Sequence, residues 1–161
     1  MISVVIPAYN EQDAISETVK SVRAVLDEAD FNNPEIIVVD DGSSDETGKR
    51  AKTAKAKVFV NLQNMGYGFS LKRGISEAKN DTIVIIDADG TYPVEDIPRL
   101  VEKYNDGYHM VVGARSGTHY RGFSVKAPLR IILKWLVEFT AGRRIPDVNS
   151  GLRVFSRKEI I

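Results

Sequence analysis

The chain contains no cysteine among its 161 residues. A protein without cysteine has no disulfide, no thiolate metal site and no cysteine nucleophile. The absence is compatible with a cytoplasmic location, and we expect the protein there. Histidine is nearly as scarce, since only His109 and His119 occur. We interpret His109 as structural and His119 as a loop residue, because the two give no metal-binding pair.

The sequence also lacks an excess of charge of either sign, because 22 Lys and Arg residues balance 22 Asp and Glu residues. No overall field attracts nucleic acid, so we expect no nucleic-acid partner, and any anionic ligand must be bound by local groups. The longest apolar run, around residues 131–139, is interrupted by Lys134 and Glu138 and is too short to span a bilayer. The first residues do not have the basic segment that begins a signal peptide.

Short β-branched runs alternate with segments of helical periodicity along most of the chain. The expected strands cover residues 2–6, 36–39, 58–60, 82–86 and 110–112. The expected helices cover residues 13–29, 43–54, 66–78 and 94–104. This order predicts one α/β domain with a mostly parallel central sheet and helices on both faces. Ligands of such sheets bind beyond the carboxyl ends of the strands, which is where the polar motifs of this chain occur.

Two carboxylates follow the fourth expected strand in the stretch IVIIDADGTYP. Asp87 and Asp89 are two residues apart, so in an extended segment both side chains point to the same side and reach one hard cation. Such a cation bridges phosphate oxygens and neutralises a departing diphosphate. The alternative is a solvated turn at a strand end, where Asp and Gly are common.

The same string, Asp-x-Asp-Gly-Thr, matches the nucleophile motif of haloacid-dehalogenase-type phosphatases. That class requires a phosphate-binding Ser or Thr, a Lys and a second acidic cluster downstream. The only adjacent acidic residues after Asp89 are Glu95 and Asp96, which belong to the next expected helix. The sequence therefore disfavours a phosphatase.

Three further loops carry polar residues at strand ends. Asp40 and Asp41 end the second strand, where a carboxylate can bind a ribose diol or a base N–H, and the segment 7–11 ends the neighbouring first strand. Gly66 and Gly68 precede a helix, which permits close approach of an anion, although an ordinary turn is equally compatible with them.

Residues 116–124 are polar and contain two glycines, which predicts a mobile lid that closes over bound ligand. The expected helix over residues 125–141 carries a basic stripe on an apolar background, formed by Lys126, Arg130 and Lys134. Such a stripe is typical of a core-facing helix with a solvated face, and the alternative is a helix that meets a lipid phosphate at a membrane surface.

Six segments resemble, in this order, the inverting family-2 glycosyltransferases, and within them the polyprenyl-phosphate (dolichol-phosphate mannose synthase-like) branch. They are SVVIPAYNE, VVDDGSSDET, NMGYGFSLKRGI, IIDADGTYP, VGARSG and PDVNSGLRVFSR. The resemblance implies a single GT-A catalytic domain over residues 1–161, with a nucleotide-sugar and metal half (1–115) and an acceptor half (116–161). It also implies a role in cell-envelope or glycoprotein biosynthesis, possible attachment to the cytoplasmic face of a membrane, and a GDP- or UDP-linked donor.

The resemblance assigns roles to particular positions. It implies that Asp87 and Asp89 bind Mg²⁺ or Mn²⁺ and that Asp89 and Arg115 are catalytic. The nucleotide-binding residues that it implies are Pro7, Ala8, Tyr9, Glu11, Asp40, Asp41, Gly66, Asp87 and Ala88. The acceptor-binding residues are Lys126, Arg130, Ser150 and Arg153. Two features differ from relatives, which often carry Gln where this chain has Thr91 and which continue beyond the SGLRVF segment, so we expect a chain truncated at its C-terminus.

The expected reaction is the transfer of a sugar to a polyprenyl or dolichyl phosphate with inversion. A phosphate acceptor is already ionised and needs no general base. Three alternatives remain open: a saccharide acceptor, which needs a base; a nucleotide-sugar-binding domain without catalysis; and a sugar-nucleotide pyrophosphorylase. The last is disfavoured, because PAYNEQD is not the Gly-rich basic loop that such enzymes carry after the first strand.

Overall fold

The β-branched runs form the strands of one six-stranded sheet in a computed structural model, which describes residues 1–114, 147 and 150–160. The strands are β1 Ile2–Ala8, β2 Glu35–Asp40, β3 Lys57–Val60, β4 Thr82–Ile85, β5 Met110–Val112 and β6 Arg153–Ser156. The α-helices of this part are α1 Ile15–Glu28, α2 Thr47–Thr53, α3 Tyr67–Glu77 and α4 Ile97–Asn105. Short 3₁₀ helices cover Val94–Asp96 and Arg157–Glu159.

The sheet order is β3-β2-β1-β4-β6-β5, and the first four strands in this order are parallel. Strand β6 is antiparallel to both β4 and β5. The prediction of a mostly parallel α/β sheet is therefore confirmed. Because β6 runs against β4, the residues that precede β6 lie at the same edge as the residues that follow β1, β2 and β4. This edge is where the polar motifs meet.

Side chains alternate between two apolar clusters, one on each face of the sheet. Val4, Val38 and Val84 pack with helix α1 on one face. Val5 and Ile37 pack with Ile75 of helix α3 on the other face. Burial on both faces explains why the central strands read as continuous apolar runs.

Two predicted boundaries were wrong. Strand β1 continues through Pro7, which pairs with Val39, although Pro7 was expected to stop it. The carbonyl oxygen of Val5 accepts a hydrogen bond from the N–H of Ile86, the residue that follows β4. The backbone nitrogen of Pro7, two residues after Val5, faces the same direction but lies beyond the end of β4. The missing N–H of Pro7 therefore costs no ladder hydrogen bond.

Helix α2 begins at Thr47 and not at Ser43 or Ser44. Ser43 Oγ accepts a hydrogen bond from the Asn10 N–H (3.0 Å), and the Ser44 N–H donates to Asn10 Oδ1 (2.9 Å). Residues expected to cap the helix instead connect the loop after β2 to the loop after β1.

Candidate functional site

A cavity of about 380 Å³ lies at the carboxyl edge of the parallel strands. Its lining comes from the ends of β1, β2 and β4 and from the start of α3. The lining residues are Pro7, Ala8, Tyr9, Glu11, Asp41, Asn64, Gly66, Tyr67, Ser70, Asp87, Ala88 and Asp89. This volume is within the range of small-molecule sites. Of the nine residues for which the sequence suggested nucleotide binding, all except Asp40 line the cavity.

The loop after β1 is fixed by hydrogen bonds from its backbone. The N–H of Glu11 donates to Thr47 Oγ1 (2.8 Å), and the N–H of Gln12 donates to Asp45 Oδ2 (3.2 Å). Asn10 has a φ of 55°, a left-handed conformation that Asn tolerates better than most residues. These contacts hold Tyr9 and Glu11 at the wall of the cavity without using their side chains.

Glu11 lies in a negative environment. Burial raises the pKa of its carboxyl group, and the carboxylates of Asp89, Asp45 and Asp87 raise it further. The strand ends thus concentrate negative charge in the cavity, which favours the binding of a cation there.

Asp41 is 4% exposed, and its carboxylate is occupied by hydrogen bonds from the loop after β3. Oδ1 accepts from Asn61 Nδ2 (2.6 Å) and the Met65 N–H (3.0 Å), and Oδ2 accepts from the Gly66 N–H (2.8 Å). Burial raises the pKa of Asp41, but these hydrogen bonds outweigh it and leave the pKa below its ordinary value. Asp41 is thus an ionised group that shapes the loop at the cavity.

Asp40 takes no part in this arrangement. Its carboxylate accepts a hydrogen bond from the Ser43 N–H (2.9 Å) and lies next to Gly48 at the start of α2. Asp40 lines a different depression, next to Lys49 and Lys52. The sequence left open which of the two adjacent aspartates faces the ligand, and the geometry favours Asp41.

Asp87 and Asp89 both line the cavity, although Ala88 and Asp89 lie in a turn and not in the extended segment that the prediction assumed. Thr18 of α1 donates its hydroxyl to the carbonyl oxygen of Ala88 between them (3.0 Å), which anchors this turn to the helix. Thr91 donates its N–H (3.0 Å) and its hydroxyl (2.7 Å) to Asp89 Oδ1. Thr91 therefore orients a carboxylate, a role that its position alone did not indicate.

Tyr67 bridges the two sides of the cavity. It is the first residue of α3, and its hydroxyl donates to Asp87 Oδ1 at 2.9 Å. Burial and then the Asp87 carboxylate raise the pKa of Tyr67 above its ordinary value, so the hydroxyl keeps its proton. Sequence reasoning did not assign a role to Tyr67, and its aromatic character within a Gly-rich loop was the available signal.

The segment before β6 lies against Asp87. A Cβ placed on Gly151 would lie 2.5 Å from Asp87 Cγ and 2.6 Å from Asp87 Oδ1, so a larger residue there would require the Asp87 side chain or the backbone to move. The Gly151 N–H donates to the Tyr92 hydroxyl (2.5 Å), and Ser150 Oγ donates to the Gly113 carbonyl (2.5 Å). Ser150 is buried and connects β5 to β6 in this way.

Arg153 is half-buried, and its Nε donates to the Ser150 carbonyl oxygen (2.8 Å). Its positive charge acts on Tyr67, so Arg153 lies near the side of the cavity where Tyr67 contacts Asp87. The other residues predicted for the acceptor and for catalysis, Lys126, Arg130 and Arg115, lie outside the described residues, as do the predicted lid and the predicted basic helix.

The donor set fits a hard divalent cation that is shared with a ligand. Within residues 1–114, 147 and 150–160, no group of three or more His, Cys, Asp or Glu residues is arranged to hold a metal ion. Two carboxylates are nevertheless sufficient for Mg²⁺, which is commonly bound by one or two carboxylates together with substrate phosphates. None of the described helices is long and apolar enough to cross a membrane.

A family model described as "Glycosyl transferase family 2" matches residues 3–158. The undecaprenyl-phosphate 4-deoxy-4-formamido-L-arabinose transferase of Edwardsiella ictaluri is 35% identical in an alignment 160 residues long, which covers 96% of this chain and 48% of that protein. This chain thus spans about half the length of the curated relatives it matches.

Two solved structures of one synthase are also similar to this chain. The crystal structure of glucosyl-3-phosphoglycerate synthase from Mycobacterium tuberculosis with uridine diphosphate has a TM-score of 0.76 and 26% identity, and the match covers 98% of this chain and 57% of that one. A structure of the same synthase with Mn²⁺, UDP-glucose and phosphoglyceric acid has a TM-score of 0.75 and 28% identity, with 98% and 57% covered.

Proposed function

Because this chain belongs to glycosyl transferase family 2, we propose that it transfers a sugar from a nucleoside diphosphate sugar to a polyprenyl phosphate, with inversion at the anomeric carbon. The observation that supports the donor part of this proposal is one cavity in which the loop after β3 lies next to the carboxylates of Asp87 and Asp89. The acceptor part of the proposal is supported by the 35% identical transferase, which is named for undecaprenyl phosphate.

The donor is proposed to be a UDP-sugar, since the similar synthase structures contain UDP or UDP-glucose. Pro7, Ala8, Tyr9 and Glu11 would surround the nucleoside on one side, and Gly66 with Ala88 on the other. Gly66 has a φ of 89°, and an added Cβ would meet no atom of the described residues within 4 Å, so on this side its backbone is open to a ligand.

Asp87 and Asp89 are proposed to hold Mg²⁺ or Mn²⁺ beside the diphosphate. The ion would neutralise negative charge on the departing nucleoside diphosphate. The protein contributes the fixed geometry: Thr91 orients Asp89, Thr18 anchors the intervening Ala88, and Gly151 backs Asp87. Held in advance, these carboxylates need little reorganisation when ligand binds.

A polyprenyl phosphate is proposed as acceptor because its phosphate oxygen is already ionised and requires no base. We propose that Arg115, Lys126 and Arg130 bind this phosphate. Arg153, whose charge acts on Tyr67, is proposed to assist them. Ser150 would act indirectly, because its hydroxyl is used to join β6 to β5. We propose that the protein works at the cytoplasmic face of a membrane, where such a lipid is exposed.

The donor half is tested with Asp89→Ala. We expect the variant to keep the native melting temperature, because Asp89 is exposed, and to lose the increase in UDP affinity that Mn²⁺ or Mg²⁺ gives the native chain. Calorimetry with UDP and with GDP, each with and without metal, measures this. Asp27→Ala, an exposed carboxylate near the opposite end of α1, is the matched control and should behave as native. Unchanged metal-dependent affinity in Asp89→Ala would refute the assignment.

The acceptor half is tested with the double variant Lys126→Ala, Arg130→Ala. We expect the native chain to co-sediment with phosphatidylcholine vesicles that contain undecaprenyl phosphate and not with plain vesicles, because each exposed cation near an anionic surface contributes about 1 kcal/mol. The double variant should lose most of this binding and keep its UDP affinity.

Lys49→Ala, Lys52→Ala removes the same charge from the exposed surface of α2 and serves as control. Equal loss in both double variants would indicate a nonspecific effect of charge. If the Lys126, Arg130 variant still bound the lipid vesicles, we would interpret these two residues as part of a solvated helix face. Binding of UDP by a chain that never binds the lipid would favour a nucleotide-sugar-binding domain.

A further inference from the structure

The Tyr67 side chain connects two parts of the cavity that the chain builds separately. One part is the loop after β3, whose Gly66 N–H is held by Asp41 at 2.8 Å. The other is the turn after β4, where Asp87 Oδ1 accepts from the Tyr67 hydroxyl at 2.9 Å. Tyr67 directly follows Gly66. Asp41 after β2 is therefore connected to Asp87 after β4 by two hydrogen bonds and the Gly66–Tyr67 peptide bond.

The position of Tyr67 is determined by its backbone and not by burial of its ring. The ring is 51% exposed, so apolar packing alone does not fix it. Gly66 turns the chain with a φ of 89° and begins α3, and Ser70 one helical turn later is fully buried. The first turn of α3 is therefore anchored, and it presents the Tyr67 hydroxyl to Asp87.

Asp87 is confined from two directions. Gly151 lies so close to the carboxylate that an added Cβ would require the Asp87 side chain to move. Tyr67 donates to Oδ1 from another direction. A carboxylate bounded in this way has few rotamers left, and a hydrogen bond to a ligating carboxylate is the kind of outer contact that fixes a metal ligand.

We propose that Tyr67 is a positioning residue that orients the Asp87 carboxylate for a divalent cation and couples metal binding to the nucleotide-binding loop. This inference rests on the proposed function, because it takes Asp87 and Asp89 as the metal pair. Tyr67 would not ligate the ion. Its hydroxyl donates to Oδ1 and so restricts the rotation of the carboxylate that would hold the cation.

The coupling has a direction that can be measured. A nucleotide that contacts the backbone at Gly66 stabilises the loop from which Tyr67 projects, and so holds Asp87 in the binding orientation. By linkage, UDP should then raise the affinity for metal by the same factor by which metal raises the affinity for UDP. Without the hydroxyl, the part of this factor that passes through the loop is lost.

Tyr67→Phe removes only the hydroxyl and keeps the ring. We expect Mn²⁺ affinity, measured by the electron paramagnetic resonance signal of free Mn²⁺ with the full chain, to fall about tenfold, as is typical of lost outer-shell contacts. The factor by which UDP increases Mn²⁺ affinity should also fall. UDP affinity without metal and the melting temperature should stay native, because a purely structural role would change these two readouts first.

Tyr108→Phe is the matched control, since Tyr108 is exposed and precedes β5 at the opposite edge of the sheet. If Tyr67→Phe bound Mn²⁺ with native affinity, the inference about Tyr67 would be overturned, and the proposed metal pair would be unaffected. An equal loss of metal-free UDP affinity would also overturn it, because Tyr67 would then serve the nucleotide directly. A native chain that binds no Mn²⁺ with or without UDP would instead overturn the proposed metal pair, and the inference with it.

Discussion

Gly151→Ala is expected to eliminate divalent-cation binding although it adds only one methyl group. The new Cβ would lie within 2.6 Å of Asp87 Oδ1 and 2.5 Å of Asp87 Cγ, so the carboxylate must rotate away or the backbone before β6 must move. Rotation breaks the contact with Tyr67, and movement strains the Gly151 to Tyr92 hydrogen bond. Overpacking of this kind costs about 1–3 kcal/mol of folding free energy in addition to the lost site.

The measurement is a Mn²⁺ titration followed by electron paramagnetic resonance, together with a urea unfolding curve. Gly68→Ala is the control, because an added Cβ on Gly68 meets no atom of residues 1–114, 147 and 150–160 within 4 Å and alanine favours a helix more than glycine. We expect Gly68→Ala to bind Mn²⁺ as the native chain does. If Gly151→Ala retained native Mn²⁺ affinity, Asp87 could not be the ligand that we propose.

Asp41→Asn should destabilise the protein and weaken UDP binding together. The Met65 and Gly66 N–H groups donate to the two oxygens of the carboxylate, and an amide can offer only one oxygen to them. Its NH₂ group must face a donor instead. Loss of a buried, charge-assisted hydrogen bond costs about 2–3 kcal/mol, and the freed loop carries Gly66 away from the cavity.

The effect depends on pH in a defined direction. Burial raises the pKa of Asp41 but the hydrogen bonds from the loop lower it more, so the folded pKa lies below the unfolded value of about 3.9. The stabilisation is therefore present above that value and lost as pH falls through the folded pKa. Urea midpoints of native and Asp41→Asn chains should differ at pH 7, and the difference should shrink as pH falls below the unfolded pKa of about 3.9. Asp27→Asn should follow the native curve, and a constant offset between native and Asp41→Asn chains would argue against an ionised Asp41.

Periodicity was sufficient to predict the fold. Burial on both faces of β1, β2 and β4 produces continuous β-branched runs, and these predicted a mostly parallel α/β sheet. The GT-A class came from the resemblance, and the likeness to the solved synthase confirms it. The start of α2 was missed because Ser43 and Ser44 contact Asn10, a partner 33 or more residues away that local capping rules do not see.

The site was predictable in part from spacing. Asp87 and Asp89 were predicted to share a side from their two-residue spacing, and both line the cavity, although a turn at Ala88 and Asp89 places them there. Asp40 and Asp41 are adjacent, so at a strand end their side chains point in opposite directions. Only the turn that follows determines which of the two contacts the loop after β3. Tyr67 depends on a left-handed Gly66 and on a carboxylate twenty residues later, and neither dependence is visible as a pattern. The roles of all these residues remain predictions until the variants are measured.

The antiparallel direction of β6 has a consequence for biosynthesis. A ribosome delivers the chain from its N-terminus, so β1 to β4 with Asp87 and Asp89 emerge before Gly151 exists. The two carboxylates then have their turn, anchored by Thr18, but not the wall behind Asp87. Pairing of β6 with β4 closes a long loop, and such non-local contacts form late. The nascent chain can therefore complete the proposed cation site only when β6 pairs with β4, and the same step gives β5 its only neighbour among the described strands.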